Sequence, residues 1–398
     1  MTATPQAPAA GPVPAALARA KAGARRALPL VAAAPALLRA RPRDDLVVFD
    51  SWGGRFSDSP RALSDELSRR APGLEQAWVL APGRPGPGPE GARAVRPQSA
   101  EQVVALRSAR AVVTNRNLPR WFVKRRGCLY LQTWHGSPLK RVGFDVARDR
   151  RQASQIRHDV GRWDVLLAQS PFAAERFRAA FRFGGEIWET GYPHTDVLVG
   201  PDATPRRDQV RQRLGIPADG RVVLYAPTFR DDARGSDGRH RFDLRLDFDR
   251  LEAGLGPDWT VLVRAHTLTR WEAPAGDERV RDVAGVEEIT DLYLAADVLV
   301  TDYSSAMFDF AVTGKPIVFF AYDLEHYRDD VRGFYWPLED EAPGPVVRDT
   351  DGVVEALRDL TGVQAAQAAR YAAFRQKFVP FDDGTVSQRV VDRLLATL

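Results

Sequence analysis

Two histidines in this sequence follow directly on short apolar runs, where an imidazole can meet a ligand. His135 sits in Gln132-Thr133-Trp134-His135-Gly136-Ser137-Pro138-Leu139-Lys140, behind the apolar run that starts at Leu129. A neutral imidazole there can take a proton from an attacking hydroxyl. Gly136, lacking a Cβ, lets the backbone approach a ligand. His266 ends Val263-Arg264-Ala265-His266 in the same way, so two such histidines, one from each half of the chain, can face each other across a cleft. Two further clusters suit phosphate. Tyr225-Ala226-Pro227-Thr228-Phe229-Arg230-Asp231 carries Arg230, whose guanidinium can grip a diphosphate with two parallel hydrogen bonds. Asp302-Tyr303-Ser304-Ser305 precedes a helical stretch holding Asp309. Ser304 and Ser305 suit an N-cap, and the N–H groups of a helix start attract anions.

These clusters need a scaffold that brings strand ends together. Short apolar runs at Leu46–Phe49, Gln76–Leu80, Ala111–Thr114, Leu129–Trp134, Val165–Ala168 and Ile187–Thr190 alternate with helical stretches at Ser59–Leu67, Ala100–Ser108 and Pro171–Phe181. A second series runs through Arg221–Tyr225, Thr260–Arg264, Asp297–Thr301 and Pro316–Phe320, with helices at Leu292–Ala295 and Ala306–Val312. Apolar strands alternating with helices predict parallel sheets covered on both faces. In such sheets ligands bind beyond the carboxyl ends of the strands, where the clusters fall. At 398 residues the chain exceeds one ordinary core, since domains run to about 150 residues. The expected division is a basic, Ala/Pro-rich extension over 1–43, a Rossmann-like half over 44–200, a second over 201–370, and closing helices over 371–398. The polar segment Gly200–Gly220, with a helix at Arg206–Leu214, reads as the linker between the halves.

The composition excludes several classes. The net charge of +4 is concentrated in residues 1–43, which hold seven Arg and Lys and no acid, so a nucleic-acid-binding stripe is not expected. A single cysteine, Cys128, rules out an intramolecular disulfide and fits a reducing compartment. No run approaches the roughly 20 apolar residues of a membrane span. A secretory leader is not expected either, because Pro29 and Pro35 break the apolar run after a long basic stretch. Residues 14–40 suit a basic, apolar foot on an anionic membrane surface. The P-loop, the His-Glu-x-x-His zinc motif and the Gly-x-Ser-x-Gly elbow are missing. Asp247-Phe248-Asp249 reads as a solvated turn or helix cap and not as a cation site.

Taken together, the motifs resemble the CDP-glycerol glycerophosphotransferases, the teichoic-acid primases and polymerases. The matching stretches are Gln132–Lys140, Gly191-Tyr192-Pro193 with Asp196, Leu224–Asp231, Arg264 with His266, Asp297–Ser305, Phe308-Asp309-Phe310, Lys315-Pro316, Tyr322-Asp323 with Tyr327, Arg332-Gly333-Phe334-Tyr335 and Asp382-Asp383-Gly384. Ser137 stands where the family usually has threonine, and Phe229 where tryptophan is common. The resemblance implies a glycosyltransferase-B-like fold whose last helix returns to the first half, with Ala365–Phe378 and Ser387–Leu395 as the closing helices. It implies transfer of glycerol phosphate from CDP-glycerol to a lipid-linked glycerol-phosphate acceptor at the cytoplasmic face of the membrane, with no obligatory metal or cofactor. His135 and His266 would be catalytic. Gly136, Ser137, Thr228, Arg230, Arg264, Asp302, Ser304, Ser305 and Asp309 would bind substrate and phosphate. CDP-ribitol or another nucleotide-polyol donor, and a catalytically silent binding scaffold, stay open as alternatives.

Overall fold

The structure is a computed structural model that describes residues 31–37, 40–83, 91–146, 149–228, 230, 244–265 and 279–398. Its first sheet contains seven parallel strands: β1 (Leu46–Asp50), β2 (Glu75–Val79), β3 (Arg93–Val95), β4 (Ala111–Thr114), β5 (Leu129–Gln132), β6 (Val165–Ala168) and β7 (Glu186–Glu189). They lie in the order β3-β2-β1-β4-β5-β6-β7. The second sheet holds β8 (Arg221–Ala226), β9 (Trp259–Val263), β10 (Val280–Asp282), β11 (Val298–Thr301), β12 (Ile317–Phe320) and β13 (Val346–Val347), in the order β10-β9-β8-β11-β12-β13. Both sheets thus run 3-2-1-4-5-6 in their own strand numbering, the Rossmann order, and the first adds one strand. The two parallel-sheet halves expected from the alternating pattern are present.

The central strands are mostly apolar because helices cover both faces, with polar residues such as Asp50, Thr114 and Thr301 at their carboxyl ends. All residues of β1, β4, β6, β9, β11 and β12 are buried. The register Val47↔Ala111 and Asp50↔Thr114 aligns the carboxyl ends of β1 and β4. The register Thr301↔Ala226 does the same for β11 and β8. Each sheet reverses its strand order between these two strands, which leaves a crevice at that point.

Two segments tie the halves together. The helix Leu360–Phe378 packs Phe374 and Phe378 on Phe308 of the second half, and Phe378 also meets Phe172 of the first. The last helix, Val386–Thr397, returns to the first half and buries Val386, Val390, Val391 and Leu394 beside Val47, Leu63 and Trp78. The segment read as a linker is anchored instead. Its helix, Ala203–Arg213, turns a buried Arg211 onto Asp297 and onto the carbonyls of Ala295 and Gly220. Among the described residues, no helix is long and apolar enough to cross a membrane.

Candidate active site

The turns that follow β1 and β4 meet His135, which itself stands just beyond β5. Its Nδ1 lies 2.8 Å from the Asn115 carbonyl oxygen, just after β4. A carbonyl only accepts, so Nδ1 carries the hydrogen and Nε2 keeps its lone pair. Burial and the Asn115 contact act in opposite directions on this ring, and burial wins, holding its pKa below the ordinary 6.5. His135 is therefore neutral at neutral pH, with one nitrogen prepared to accept a proton. The ring is clamped between two indoles, 4.6 Å from Trp134 and 4.9 Å from Trp52. Trp52 and Trp134 both adopt left-handed backbone angles, with φ 49° and 58°, at the turns that leave β1 and β5. Bulky residues rarely tolerate that region, and such strain concentrates at functional sites.

Gly136, with φ 146°, brings the chain against the second half. A Cβ there would stand 2.6 Å from both Cβ and Oγ of Ser305. The His135 loop and the Ser304-Ser305 turn are thus in direct contact across the interface. Further along, the backbone of Lys140 pairs antiparallel with Phe334, Arg141 N–H donates to the Gly333 carbonyl at 3.1 Å, and Tyr335 N–H donates to that of Leu139 at 2.8 Å. A cleft of about 1310 Å³ between the halves is bordered by Trp134, Arg141, Arg332 and Tyr335.

The second half contributes from the ends of β8 and β11. Thr228 is buried, and its hydroxyl oxygen has no hydrogen-bond partner among the described residues. Ser304 Oγ accepts from the Ala306 N–H at 3.3 Å. Ser305 stands at the helix start with right-handed helical angles and makes no side-chain cap, so its hydroxyl is not consumed there as the N-cap reading expected. Arg230, expected to grip a diphosphate, already has partners. Its guanidinium meets Asp302 at 2.9 Å and Asp323 at 2.8 and 2.9 Å. It also lies 4.9 to 5.1 Å from the ring centres of Tyr303, Tyr322 and Tyr327. Burial opposes the charge, but Asp302 and Asp323 hold it firmly protonated. Asp302 in turn accepts from the Thr228 N–H at 2.7 Å, so this pair shapes the phosphate-side loop from beneath. Arg264 Nη1 donates to the carbonyls of Val283, Ala284 and Val286, which fixes the guanidinium at the end of β9. His266 lies outside the described residues, as do Phe229 and Asp231.

Ser137 and Asp309 belong to one buried network. Ser137 Oγ donates to Gln169 Oε1 at 2.7 Å, and Gln169 Nε2 reaches Asp309 at 3.5 Å and Asp382 at 3.3 Å. Asp309 also meets Nε2 of His194 at 3.2 Å. Sequence reasoning passed over His194, although it follows the Gly191-Tyr192-Pro193 turn beyond the strand Glu186–Glu189. Asp247 caps the helix Phe248–Leu255 by accepting from the Arg250 N–H, as the cap reading expects. Among the described residues, no group of three or more His, Cys, Asp or Glu side chains is arranged to hold a metal ion.

Two Rossmann-like halves meeting at a neutral histidine and a hydroxyl-rich helix start define a group transferase of the glycosyltransferase-B type. The comparisons with known proteins narrow this class. Residues 33–396 match the family model described as CDP-glycerol:poly(glycerophosphate) glycerophosphotransferase, and the chain belongs to that family. It is 35% identical over 365 residues to the teichoic acid glycerol-phosphate transferase of Staphylococcus aureus, an alignment covering 89% of this chain and 94% of that protein. It is 34% identical to the teichoic acid poly(glycerol phosphate) polymerase of Bacillus subtilis, covering 87% of this chain but only 48% of that protein. A solved structure of the wall teichoic acid polymerase TagF, soaked with CDPG, superposes with a TM-score of 0.83 at 33% identity over 89% of each chain.

Proposed function

We propose that the chain transfers glycerol phosphate from CDP-glycerol to a hydroxyl of a glycerol-phosphate acceptor, releasing CMP. The observation that carries this reading is the contact of the His135–Gly136 loop with Ser305, which sets a neutral imidazole of one half against a phosphate-suited turn of the other. The acceptor hydroxyl attacks the glycerol-bearing phosphorus. The new O–P bond forms as the diphosphate P–O bond breaks, and the hydroxyl proton passes to Nε2 of His135. Phosphoryl-type transfer depends mainly on positioning and charge stabilisation. Ser304 and Ser305, with the hydroxyl of Thr228, supply donors to phosphate oxygens. Arg264 and His266 neutralise the diphosphate or assist the departing CMP. Gly136 and Ser137 shape the loop under the acceptor. Arg230, Asp302 and Asp309 act by holding these loops in place.

The acceptor is lipid-linked in this reading, and the enzyme works as a peripheral protein on the cytoplasmic face of the membrane. Support comes from the basic residues of the first 43 positions. The proposed division into an acceptor half, a donor half and a basic extension rests on the same reading.

The deciding experiment incubates purified protein with CDP-glycerol and a panel of glycerol-phosphate-primed lipids, following CMP release and product length. CMP formation that requires a primed lipid is expected. Equal turnover with CDP-ribitol would remove glycerol as the donor's defining group, and tight CDP-glycerol binding without CMP release would favour a scaffold.

A further inference from the structure

We propose that His194 is a positioning residue for the transfer, bridging Asp309 of the second half and Asp58 of the first and so fixing both supports of the His135 loop. The inference rests on the reading of His135 as the base.

The geometry is specific. His194 Nε2 lies 3.2 Å from Asp309 Oδ2, and Nδ1 lies 2.8 Å from Ser59 Oγ and 3.4 Å from Asp58 Oδ1. The side chain is 5% exposed. Both ring nitrogens face oxygen, an arrangement that suits the doubly protonated ring. Burial alone would push its pKa down, but Asp309 and Asp58, with a smaller contribution from Asp382, raise it to about 10. His194 is thus a buried cation where the helix Asp58–Arg70, the turn Pro193–Leu198 and the helix Ala306–Val312 meet.

Two routes lead from this cation to His135. On one side Asp58, in the left-handed region at φ 64°, accepts from Trp52 Nε1 at 3.0 Å, and Trp52 covers the His135 ring. On the other, Asp309 receives Gln169, which receives Ser137, two residues beyond His135. The ring also stacks on Tyr192 at 5.7 Å. An ion pair between the halves that served stability alone would not need to bear on both supports of the base.

The charges facing His135 make the role measurable. Among the described residues they include Asp58, His194 and Asp309, set beside the Asn115 carbonyl and the Trp52 and Trp134 rings. Glu288 faces Asp58 from the second half, accepting its N–H at 3.2 Å and pairing with Arg61. Without the His194 cation, Asp58 and Asp309 act on His135 uncompensated and favour its protonation.

The test follows CMP release from CDP-glycerol with a primed acceptor from pH 5 to 9. His194→Gln is expected to lower kcat more than it raises KM, and to move the acid limb of kcat/KM up by about one pH unit, roughly tenfold in rate on that limb. His194→Arg, which keeps a cation, should return the limb toward the wild-type position. Asp58→Asn removes an anion that favours His135 protonation, so its limb should move down while kcat also falls. An unmoved limb in His194→Gln overturns the proposal, including the case where kcat and Tm fall together, which would mark a mere staple between the halves. If His194→Gln does not fold, an unmoved limb in Asp58→Asn overturns it equally. Wild-type protein that releases no CMP overturns the transfer reading instead.

Discussion

Gly136 and Ser305 belong to opposite halves, yet a single methyl group on Gly136 would stand 2.6 Å from both the Cβ and Oγ of Ser305. That spacing is below any ordinary contact, and although the Ser305 Oγ can rotate away, its Cβ is fixed by the backbone. The halves must therefore separate, or the loop must move, to admit even alanine. Gly136 also has φ 146°, which disfavours any residue with a Cβ. Displacements of about 1 Å at a reacting centre cost on the order of 10²-fold. Gly136→Ala is expected to lose about that factor in kcat while keeping the wild-type circular dichroism. Turnover within twofold of wild type would show that the contact does not set the reaction geometry.

In His135 the Asn115 carbonyl occupies Nδ1, which leaves the lone pair of the neutral ring on Nε2. A positioned base contributes about 10²–10⁴-fold, and His135→Gln should lose CMP release in that range with little change in Tm. Because burial lowers the pKa of this ring, its neutral form persists below pH 6.5. The acid limb of kcat/KM is accordingly expected below 6.5 in the wild type. A limb at or above 6.5, or CMP release at the wild-type rate in His135→Gln, would take the base role from this residue.

The extent to which these features can be read from sequence depends on how local their causes are. Central strands such as Ala111–Thr114 and Val165–Ala168 announce themselves because burial on both faces demands unbroken apolar residues. The edge strands Arg93–Val95, Val280–Asp282 and Val346–Val347 escape notice, being two or three residues long and partly exposed. His135 stands out through its apolar run and glycine. His194 does not, because its partners Asp58 and Asp309 lie 136 residues before it and 115 after it, and only the fold assembles them. The same limit applies to Arg230. Its sequence context suggests a diphosphate grip, whereas Asp302 and Asp323, both remote in sequence, already engage it.

Arg230 makes a stability prediction. Its planar fork serves two carboxylates and stacks among three tyrosine rings, a geometry that an ammonium group does not reproduce. Arg230→Met leaves Asp302 buried without its cation, a change that costs roughly 3–5 kcal/mol. Arg230→Lys should recover part of that loss. Denaturant midpoints of the three proteins check the order, wild type above Lys above Met. Equal midpoints would mean that solvent reaches the carboxylates.

The junction of the halves should also respond to pH. His194 is raised to about 10 in the folded chain, so its contribution is complete below 6.5 and is lost as pH rises from there to about 10. Asp382 moves the same way. Burial lifts its carboxyl to about 7, against the bonds from Thr195, Tyr192 and Gln169 that all fall on Oδ1. Its contribution is present in full below 3.8 and disappears as pH rises through 7. Oδ2 has no partner among the described residues and suits the proton. The Tm difference between wild type and Asp382→Asn should therefore shift steadily in favour of Asn between pH 4 and 8. Parallel pH profiles for the two proteins would show that Asp382 is ionised in the folded state.

Membrane attachment through the first residues can be tested without disturbing the fold. Arg43 pairs with Asp45 and Glu75 at the amino ends of β1 and β2, and Ala33 is buried within the helix at 31–37, so a deletion should stop short of both. Removing residues 1–30 takes away Arg19, Lys21, Arg25 and Arg26. Each basic residue near an anionic surface contributes about 1 kcal/mol, and the attraction fades with added salt. Vesicles rich in anionic lipid should retain the full chain at low salt and release it at about 0.5 M, where the Debye length falls well below 10 Å. The shortened protein should bind at least tenfold more weakly at low salt, while turning over a detergent-solubilised acceptor at the full rate. Unchanged sedimentation with such vesicles would assign membrane contact to the folded halves and leave the basic segment without that role.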